Sequence, residues 1–178
     1  MDRRIIKSQV AIKKAFIDLM TEMSFDNITI QNISDRANVS RGTFYLHYID
    51  KFDLLDKLIA SHLDELQAIC KTKADFGLED ALLRWTVYFE NNYLFFSTIL
   101  TSKGAYCFSS HFLEMVKKQL RMEINFDEGI NRGVHKDIVY HFLGSAITGL
   151  IEWWFINKRP VSSHVLAEQL STLLERNL

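Results

Sequence analysis

Residues 29–51 read TIQNISDRANVSRGTFYLHYIDK, and this stretch decides the fold of the N-terminal region. Two short helical patterns are joined by a tight turn of about four residues, which is the arrangement of a helix-turn-helix. Thr29 is the expected N-cap of the first helix, and Ile30, Ile33 and Ala37 form its buried face. Ala37 is small at the place where two helices would touch. The spacing therefore predicts a helix-turn-helix.

The turn itself is formed by residues with specific backbone preferences. Asn38 is the expected left-handed residue after the first helix, because asparagine tolerates that conformation better than most non-glycine residues. Val39 is apolar inside a turn, where solvated loops are normally polar, so we expect it to fill the corner. Ser40 is the expected cap of the second helix, and Asp50 caps the helix after it.

The second helix of the pair has two different faces. Phe44 and Tyr48 are four residues apart, so they share one face and are expected to anchor the helix in the core. Three polar side chains point elsewhere: Thr43, Tyr45 and His47. Hydroxyl and imidazole groups, with a backbone made approachable by Gly42, suit phosphate oxygens and base edges.

This stretch resembles the DNA-binding signature of TetR-family transcriptional regulators. The shared pattern is a capping Thr, a Val-Ser turn, a basic residue before Gly-Thr, an aromatic pair, a His-aromatic step and a Lys. Asn38 stands where the family usually has Gly, and Tyr48 stands where Phe is commoner. Further along, GLIEWW at residues 149–154, before a turn with Pro160, is similar to small members of the family from Gram-positive bacteria.

The resemblance implies a set of DNA contacts. We expect Arg41 and Thr43 on bases, and Tyr45, His47 and Lys51 mostly on phosphates. Tyr45 and His47 could instead only pack, and Leu46 could either contact a base or pack. The expected set is Thr29, Ser40, Arg41, Gly42, Thr43, Tyr45, Leu46, His47 and Lys51.

Apolar residues recur at helical spacing through the rest of the chain. We expect helices at residues 4–23, 51–72, 78–91, 92–101, 105–125, 134–157 and 162–176, with loops at 73–77, 102–104 and 127–133. With a single proline and seven glycines, the chain has few of the residues that form the many tight turns of a β-rich fold. The prediction is an all-α chain of about nine helices, with a three-helix helix-turn-helix domain at residues 1–50 and a helical regulatory and dimerisation domain at 51–178.

The composition is that of an ordinary globular protein, with 48% apolar and 24% charged residues among 178. The net charge is −1, but residues 36–51 contain three basic residues, one histidine and a single acid, Asp50. An anionic partner would approach the protein there. Cys70 and Cys107 fit no metal or redox spacing, and the N-terminus has no apolar signal core, so we expect a cytoplasmic protein.

Membrane, metal and catalytic alternatives find little support. Residues 138–156 are long and apolar but contain His141 and Glu152, so we expect burial by the domain and a partner subunit and no membrane contact. His135 and His141 are six residues apart, which does not suit two ligands on one helical face. There is no HExxH, CxxC, glycine-rich phosphate loop or nucleophile elbow. We expect no cofactor, no metal and no catalysis.

The resemblance also implies a homodimer formed by the last two helices, with two reading heads about 34–36 Å apart on a palindromic double-stranded DNA operator. Small residues on one helix and an apolar excess on both agree with close helix approach. The expected interface is Leu143, Gly144, Ile147, Thr148, Ile151, Trp154, Leu166, Leu170 and Leu173.

Family members usually enclose a ligand pocket in the middle helices, which implies a small apolar or aromatic effector. The candidates are Trp85, Tyr88, Phe89, Tyr93, Phe96, Phe108, Phe112 and Met115, although such a stripe could simply be core. Glu90, Glu114 or Glu152 inside the pocket would favour a lipophilic cation.

We therefore expect a ligand-responsive homodimeric repressor. One alternative is an activator, or a regulator controlled by a protein partner, which a densely packed middle region would favour. The other is a helical interaction module that no longer binds DNA.

Overall fold

The computed structural model describes residues 3–71, 73–102, 104–127 and 130–177, and within these ranges the chain contains helices and no strand. The helices are α1 (Arg3–Glu22), a 3-10 turn (Phe25–Asn27), α2 (Ile30–Arg36), α3 (Arg41–Tyr45), α4 (Lys51–Lys71), α5 (Lys73–Asn91), α6 (Tyr93–Leu100), α7 (Ala105–Glu123), α8 (Lys136–Ile156) and α9 (Ser163–Glu175). The all-α prediction is confirmed.

One predicted loop, at residues 73–77, is mostly helical. Gly77 alone interrupts α5, with φ of 86° and ψ of 174°, a conformation that glycine adopts without steric cost. The predicted end of the fourth helix at Thr72 lies outside the described residues, as do parts of the predicted loops at 102–104 and 127–133.

Helices α1, α2 and α3 pack on apolar side chains that belong to the core cluster of the chain. Ile12 and Phe16 of α1 are fully buried, as are Ile33 of α2 and Phe44 of α3. At the far end of α1, the Arg36 guanidinium donates two hydrogen bonds to the Glu22 carboxylate, at 2.8 and 2.6 Å. Because both groups are exposed, this ion pair adds little to the stability of the fold. The position of α3 is set by the apolar core.

Helix α7 packs tightly against α8. A Cβ atom added to Gly144 would lie 2.8 Å from Leu113 Cδ1 and 3.1 Å from Lys117 Cγ. The absence of a side chain at Gly144 therefore allows the two helices to approach closely within one chain. Among the described residues, no helix combines the length and the apolar character needed to cross a bilayer.

Helix α4 runs from the helix-turn-helix into the C-terminal domain, and His62 sits at that junction. The His62 Nδ1 atom lies 2.7 Å from the Tyr88 hydroxyl of α5, and the ring stacks on Phe95 of α6 with centroids 4.1 Å apart. Burial, helped by the nearby Lys13 charge, lowers the pKa of His62 to about 4. His62 thus joins three helices as a neutral group near pH 7.

Candidate DNA-binding interface

The start of α2 is fixed by a reciprocal cap. Thr29 Oγ1 accepts a hydrogen bond from the Asn32 backbone N–H at 3.1 Å, and Asn32 Oδ1 accepts one from the Thr29 N–H at 2.9 Å. The predicted N-cap is confirmed, with Asn32 in the place where Glu or Gln usually closes such a box.

The turn between α2 and α3 has the predicted geometry. Asn38 has a φ of 52°, in the left-handed region. The Val39 N–H donates to the Ser34 carbonyl at 3.0 Å, and Val39 packs against the core. Ser40 Oγ then accepts from the Thr43 N–H at 3.0 Å and starts α3. These local bonds hold a helix of only five residues in one orientation.

The two faces of α3 separate as expected. Phe44 and Tyr48 are buried, with ring centroids 5.5 Å apart. Tyr45 is 52% exposed and Leu46 is 81% exposed. Ser40, Arg41 and Gly42 are also exposed, and Thr43 is half-buried with its hydroxyl 2.9 Å from Ser40 Oγ. One edge of α3 therefore offers a guanidinium, hydroxyls, a phenol and an isobutyl group to a partner.

His47 has a neighbour inside the domain. Its Nε2 atom lies 2.8 Å from Ser8 Oγ of α1, and the side chain is half-buried. This bond ties the end of the α3 segment to the start of α1. Sequence reasoning missed it, because the two residues are 39 positions apart and no local pattern connects them.

Lys51, expected on a phosphate, has hydrogen-bond partners inside the protein. Its Nζ atom donates to the carbonyls of Phe25 at 2.9 Å, Asp26 at 2.9 Å and Ile28 at 2.8 Å, and it lies 4.8 Å from the Phe25 ring centre. An ammonium group has three N–H donors, and all three have acceptors here. Lys51 thus fastens the segment before α2 to the start of α4.

Two residues that the sequence reasoning missed fix the chain between α3 and α4. Asp53 accepts a hydrogen bond from the Ile49 N–H at 2.9 Å, and Lys57 Nζ donates to Asp53 at 2.9 Å and to the His47 carbonyl at 3.1 Å. The hydrogen bond from Lys57, followed by that from Ile49, lowers the pKa of the Asp53 carboxyl. Their spacing of four residues on one helix was the available signal.

The predicted pocket aromatics mostly form core. Phe89 and Phe96 are fully buried with centroids 4.7 Å apart, and Phe108 stacks on Phe112 at 5.4 Å. A cavity of about 60 Å³ lies beside them, and Trp85 is the one predicted residue in its lining. The lining is Cys70, Leu78, Ala81, Leu82, Trp85, Val116, Gln119, Leu120, Glu123, Ile147 and Leu174. Tyr88, Tyr93 and Met115 are half-buried and lie outside it.

The three acids considered for such a pocket have other partners. Glu90 accepts hydrogen bonds from Arg159 and from Ser163 Oγ, both at 2.9 Å, and so joins α5 to the α8–α9 turn. Glu114 pairs with Lys117 at 2.7 Å. Glu152 accepts a hydrogen bond from Ser109 Oγ. Each acid is therefore occupied outside the cavity lining.

The predicted dimer interface lies mostly on the inner face of α8. Eight of its nine residues are buried within the single chain, and Leu173 alone is exposed, at 49%. The opposite face of α8 presents a row of residues at spacings of three or four, here named the α8 stripe: Ile138, Phe142, Ala146, Gly149, Trp153 and Ile156. Both faces of this helix are apolar, so the period of the sequence could not distinguish core from surface.

Within the described part of the chain, no group of three histidine, cysteine or acidic side chains could hold a metal ion.

Known proteins share both halves of this architecture. Residues 12–58 match the family described as bacterial regulatory proteins, tetR family, and residues 78–176 match the transcriptional regulator C-terminal region of the same group. An uncharacterized HTH-type transcriptional regulator of Bacillus subtilis, YxbF, is 36% identical over 86 residues, covering 46% of this chain and 22% of that protein. DhaS of Lactococcus lactis, an HTH-type dhaKLM operon transcriptional activator, is 26% identical over 126 residues, covering 71% of this chain and 65% of DhaS. The chain thus spans between about a fifth and two thirds of these two relatives.

Solved structures agree over nearly the whole length. A TetR transcriptional regulator from Streptococcus agalactiae is 30% identical with a TM-score of 0.74, covering 97% of this chain and 96% of that one. NalD of Pseudomonas aeruginosa, the secondary repressor of an efflux pump, has the same fold at 18% identity, with a TM-score of 0.72 and coverage of 99% and 98%. The chain belongs to the TetR family and is a DNA-binding transcriptional regulator.

Proposed function

We propose that α3 enters the major groove of a palindromic operator and reads it mainly through Arg41 and Thr43. The observation that carries this proposal is the division of α3, with Phe44 and Tyr48 buried beneath an exposed edge that contains Arg41 and Tyr45. Arginine can bind a guanine edge in a bidentate manner, and a threonine methyl suits a thymine methyl.

The other proposed contacts divide by chemistry. Thr29, Ser40 and Tyr45 offer hydroxyl groups to phosphates, Gly42 lets the backbone approach, and Leu46 makes apolar contact with a base. His47 and Lys51, which already have partners in the domain, position the contact residues.

The α8 stripe is the proposed homodimer surface. Its isoleucines and aromatic rings are exposed in a single chain, with Ile138 and Phe142 each at 63%. An exposed row of apolar side chains is removed from water when the helix that carries it meets a twofold copy of itself. Such a dimer would set two α3 helices about one DNA turn apart.

A small apolar effector is the proposed signal, and the cavity beside Trp85 is its proposed site. A benzene-sized ligand has been accommodated in cavities of about 150 Å³, whereas this cavity measures about 60 Å³. An effector that binds there must therefore displace its walls, which include Cys70 near the end of α4. Because the start of α4 carries the helix-turn-helix, this displacement would change the spacing of the two heads and release the DNA.

Binding of an apolar probe tests that site. Indole should raise the melting temperature of the protein, because a ligand that binds only the folded state stabilises it. Ala81→Leu, which fills the cavity, should remove the effect. A melting temperature that rises equally in both proteins would contradict the proposed location.

The sign of regulation is proposed as repression, acting on DNA in the cytoplasm. Activation, or control by a protein partner, is the alternative, and the dense aromatic interior beside a small cavity is the observation in its favour. Transcription of the gene next to the operator, measured with and without the regulator, separates repression from activation.

Selection of bound sequences from random DNA with the full chain tests the function as a whole. A palindrome with two half-sites is the expected product. An Arg41→Gln protein should select the same half-site with one base position relaxed and with a loss of about 1–3 kcal/mol. Selection of no common sequence by the unmodified protein would overturn the proposal and favour a helical interaction module without specific DNA binding.

A further inference from the structure

The turn between α8 and α9 contains two consecutive residues in the left-handed backbone region. Lys158 has a φ of 55° and Arg159 a φ of 58°, and Pro160 follows them. A side chain makes this region sterically costly, which is why glycine or asparagine usually occupies it. Such strain persists where the surrounding structure holds the residues in place. The contacts of Arg159 therefore show what holds this turn.

Arg159 binds the corner where α5 ends and α6 begins. Its guanidinium donates to the Glu90 carboxylate at 2.9 Å and lies 4.3 Å from the centre of the Tyr93 ring. Its backbone N–H donates to the Trp154 carbonyl at 2.7 Å. The second oxygen of the Glu90 carboxylate accepts from Ser163 Oγ, at the start of α9, at 2.9 Å. We name the group formed by Glu90, Tyr93, Arg159 and Ser163 the Arg159 clamp.

The Arg159 clamp determines position more than stability. The Arg159 and Glu90 side chains are 35% and 43% exposed, and an exposed ion pair contributes little to the stability of a fold. Each clamp residue, however, contacts more than one element. Glu90 binds both the turn and Ser163 of α9, and the Tyr93 ring stacks on Phe155 of α8 with centroids 5.7 Å apart. The α5–α6 corner is thus tied to α8 and α9 at the same time.

The same corner also lies against α1. Asn91, Asn92 and Leu94 line one groove together with Lys14 and Asp18 of α1. A second groove lies between the end of α1 and the end of α6, and the two helices are in contact. Helix α6 therefore runs beside the second half of α1, with its start fixed by the clamp.

The helix-turn-helix head, formed by α1 to α3, consequently has two supports. Helix α1 contacts α2, and α2 contacts α3, so a displacement of α1 is passed to α3. The first support is α4, which continues the chain from the head, and the second is α6. A body held at two points does not rotate freely about either one. The angle of the head relative to α8 and α9 therefore depends on both supports.

We propose that Arg159 is a positioning residue that sets the half-site spacing accepted by the protein. Through Glu90 and Tyr93 it holds α6 against α8 and α9, and α6 in turn holds the head. In a dimer, the distance between the two α3 helices determines the spacing of the half-sites. The proposal rests on the proposed function, a dimer on a palindromic operator, and assigns the choice of spacing to residues that contact no DNA.

Binding to operators of different spacing tests the proposal. The half-site selected by the unmodified protein is placed twice, as an inverted repeat, in duplexes whose spacers differ in length. Each base pair adds about 3.4 Å to the separation, so the unmodified protein should enrich one spacer length. Arg159→Gly should also accept spacers about one or two base pairs longer or shorter. Its affinity for a duplex with a single half-site should stay the same, because α3 is unchanged.

Lys158→Gly is the matched control. It also places glycine at a left-handed position of the turn, but Lys158 is exposed and takes no part in the Arg159 clamp. This variant should keep the spacing preference of the unmodified protein. Equal broadening by both glycine variants would overturn the proposal, because the freedom of the turn backbone would then be the cause.

A second variant tests the clamp from the other side. Glu90→Ala should broaden the accepted spacing, and the double variant with Arg159→Gly should broaden it no further, because the two residues act through one contact. An unchanged spacing preference in Arg159→Gly and Glu90→Ala would exclude the positioning role, whatever happens to their melting temperatures. Sedimentation should show both variants as dimers, and a monomer would instead assign the clamp to dimerisation. If the unmodified protein selects no half-site at all, the proposed function itself fails, and this inference with it.

Discussion

At the residue scale, His62 makes the stability of the fold depend on pH. Burial lowers its folded-state pKa from 6.5 to about 4. The unfolded chain therefore takes up a proton between these values while the folded chain does not. The part of the free energy of unfolding that depends on a neutral His62 is fully present above pH 6.5 and is lost as the pH falls toward 4.

We predict that acidification from pH 6.5 to 4 lowers the free energy of unfolding by on the order of 1–2 kcal/mol through His62, with allowance for its partial exposure. Urea unfolding at several pH values measures this. His62→Phe keeps a ring against Phe95 and should flatten the profile over that range. The carboxyls of Glu22, Asp53 and Glu114, whose pKa values are lowered, remain in both proteins and act at lower pH. An identical slope in the two proteins would exclude His62 as the source.

At the same scale, the buried hydroxyl of Thr148 lowers the free energy of unfolding. Its hydroxyl is buried in α8 and has no hydrogen-bond partner among the described residues. Thr148→Val keeps the shape and removes the unsatisfied group, so we predict a gain of about 1 kcal/mol in unfolding free energy. Thr86 is also buried, but its hydroxyl donates to the Leu83 carbonyl at 3.0 Å. Thr86→Val should therefore give no gain, and equal gains in the two variants would show that the missing bond is not the cause.

At the element scale, the docking of the 3-10 turn and α2 against α4 depends on Lys51. Lys51→Met should destabilise the domain by about 1.5–3 kcal/mol, because three carbonyls lose a charged donor. Thermal unfolding measures the change. A lysine that served only to bind phosphate would leave the melting temperature unaltered, so an unshifted transition would restore the role expected from the sequence.

Elements set by local rules were predictable from the sequence. Thr29, Asn38, Ser40 and Asp50 each act on backbone within a few positions, and Asp50 Oδ1 accepts the N–H groups of Phe52 and Asp53 at 2.8 Å as a cap should. These positions determine α2, α3 and the start of α4. Most of the other helices followed from apolar periods, which persist over many turns, although residues 73–77, expected as a loop, are mostly helical.

Features that depend on distant partners were not predictable. The Ser8–His47 bond and the three carbonyls around Lys51 join segments that are 23 or more positions apart. The faces of α8 could not be assigned either, because Leu143 on the buried side and Phe142 on the exposed side are equally apolar. The position of α7 determines which face of α8 is buried within the chain.

At the scale of the whole molecule, the α8 stripe is the proposed surface through which two copies would hold their heads together. Phe142 is 63% exposed and lines an open groove together with Ile138 and Ala146. We predict that Phe142→Glu prevents dimerisation, because an unpaired carboxylate in an apolar interface costs several kcal/mol. Tyr106→Glu, at an 85% exposed aromatic on α7, introduces the same charge away from the stripe.

Sedimentation of the two variants at equal concentration separates the possibilities. The Phe142 variant should sediment as a monomer and the Tyr106 variant as a dimer. On a palindromic operator, the monomer should bind each half-site independently, without the cooperative advantage that linkage of two sites provides. If the Phe142 variant stays dimeric while Leu173→Glu dissociates the protein, the exposed part of α9 would carry the interface and the assignment to α8 would be wrong.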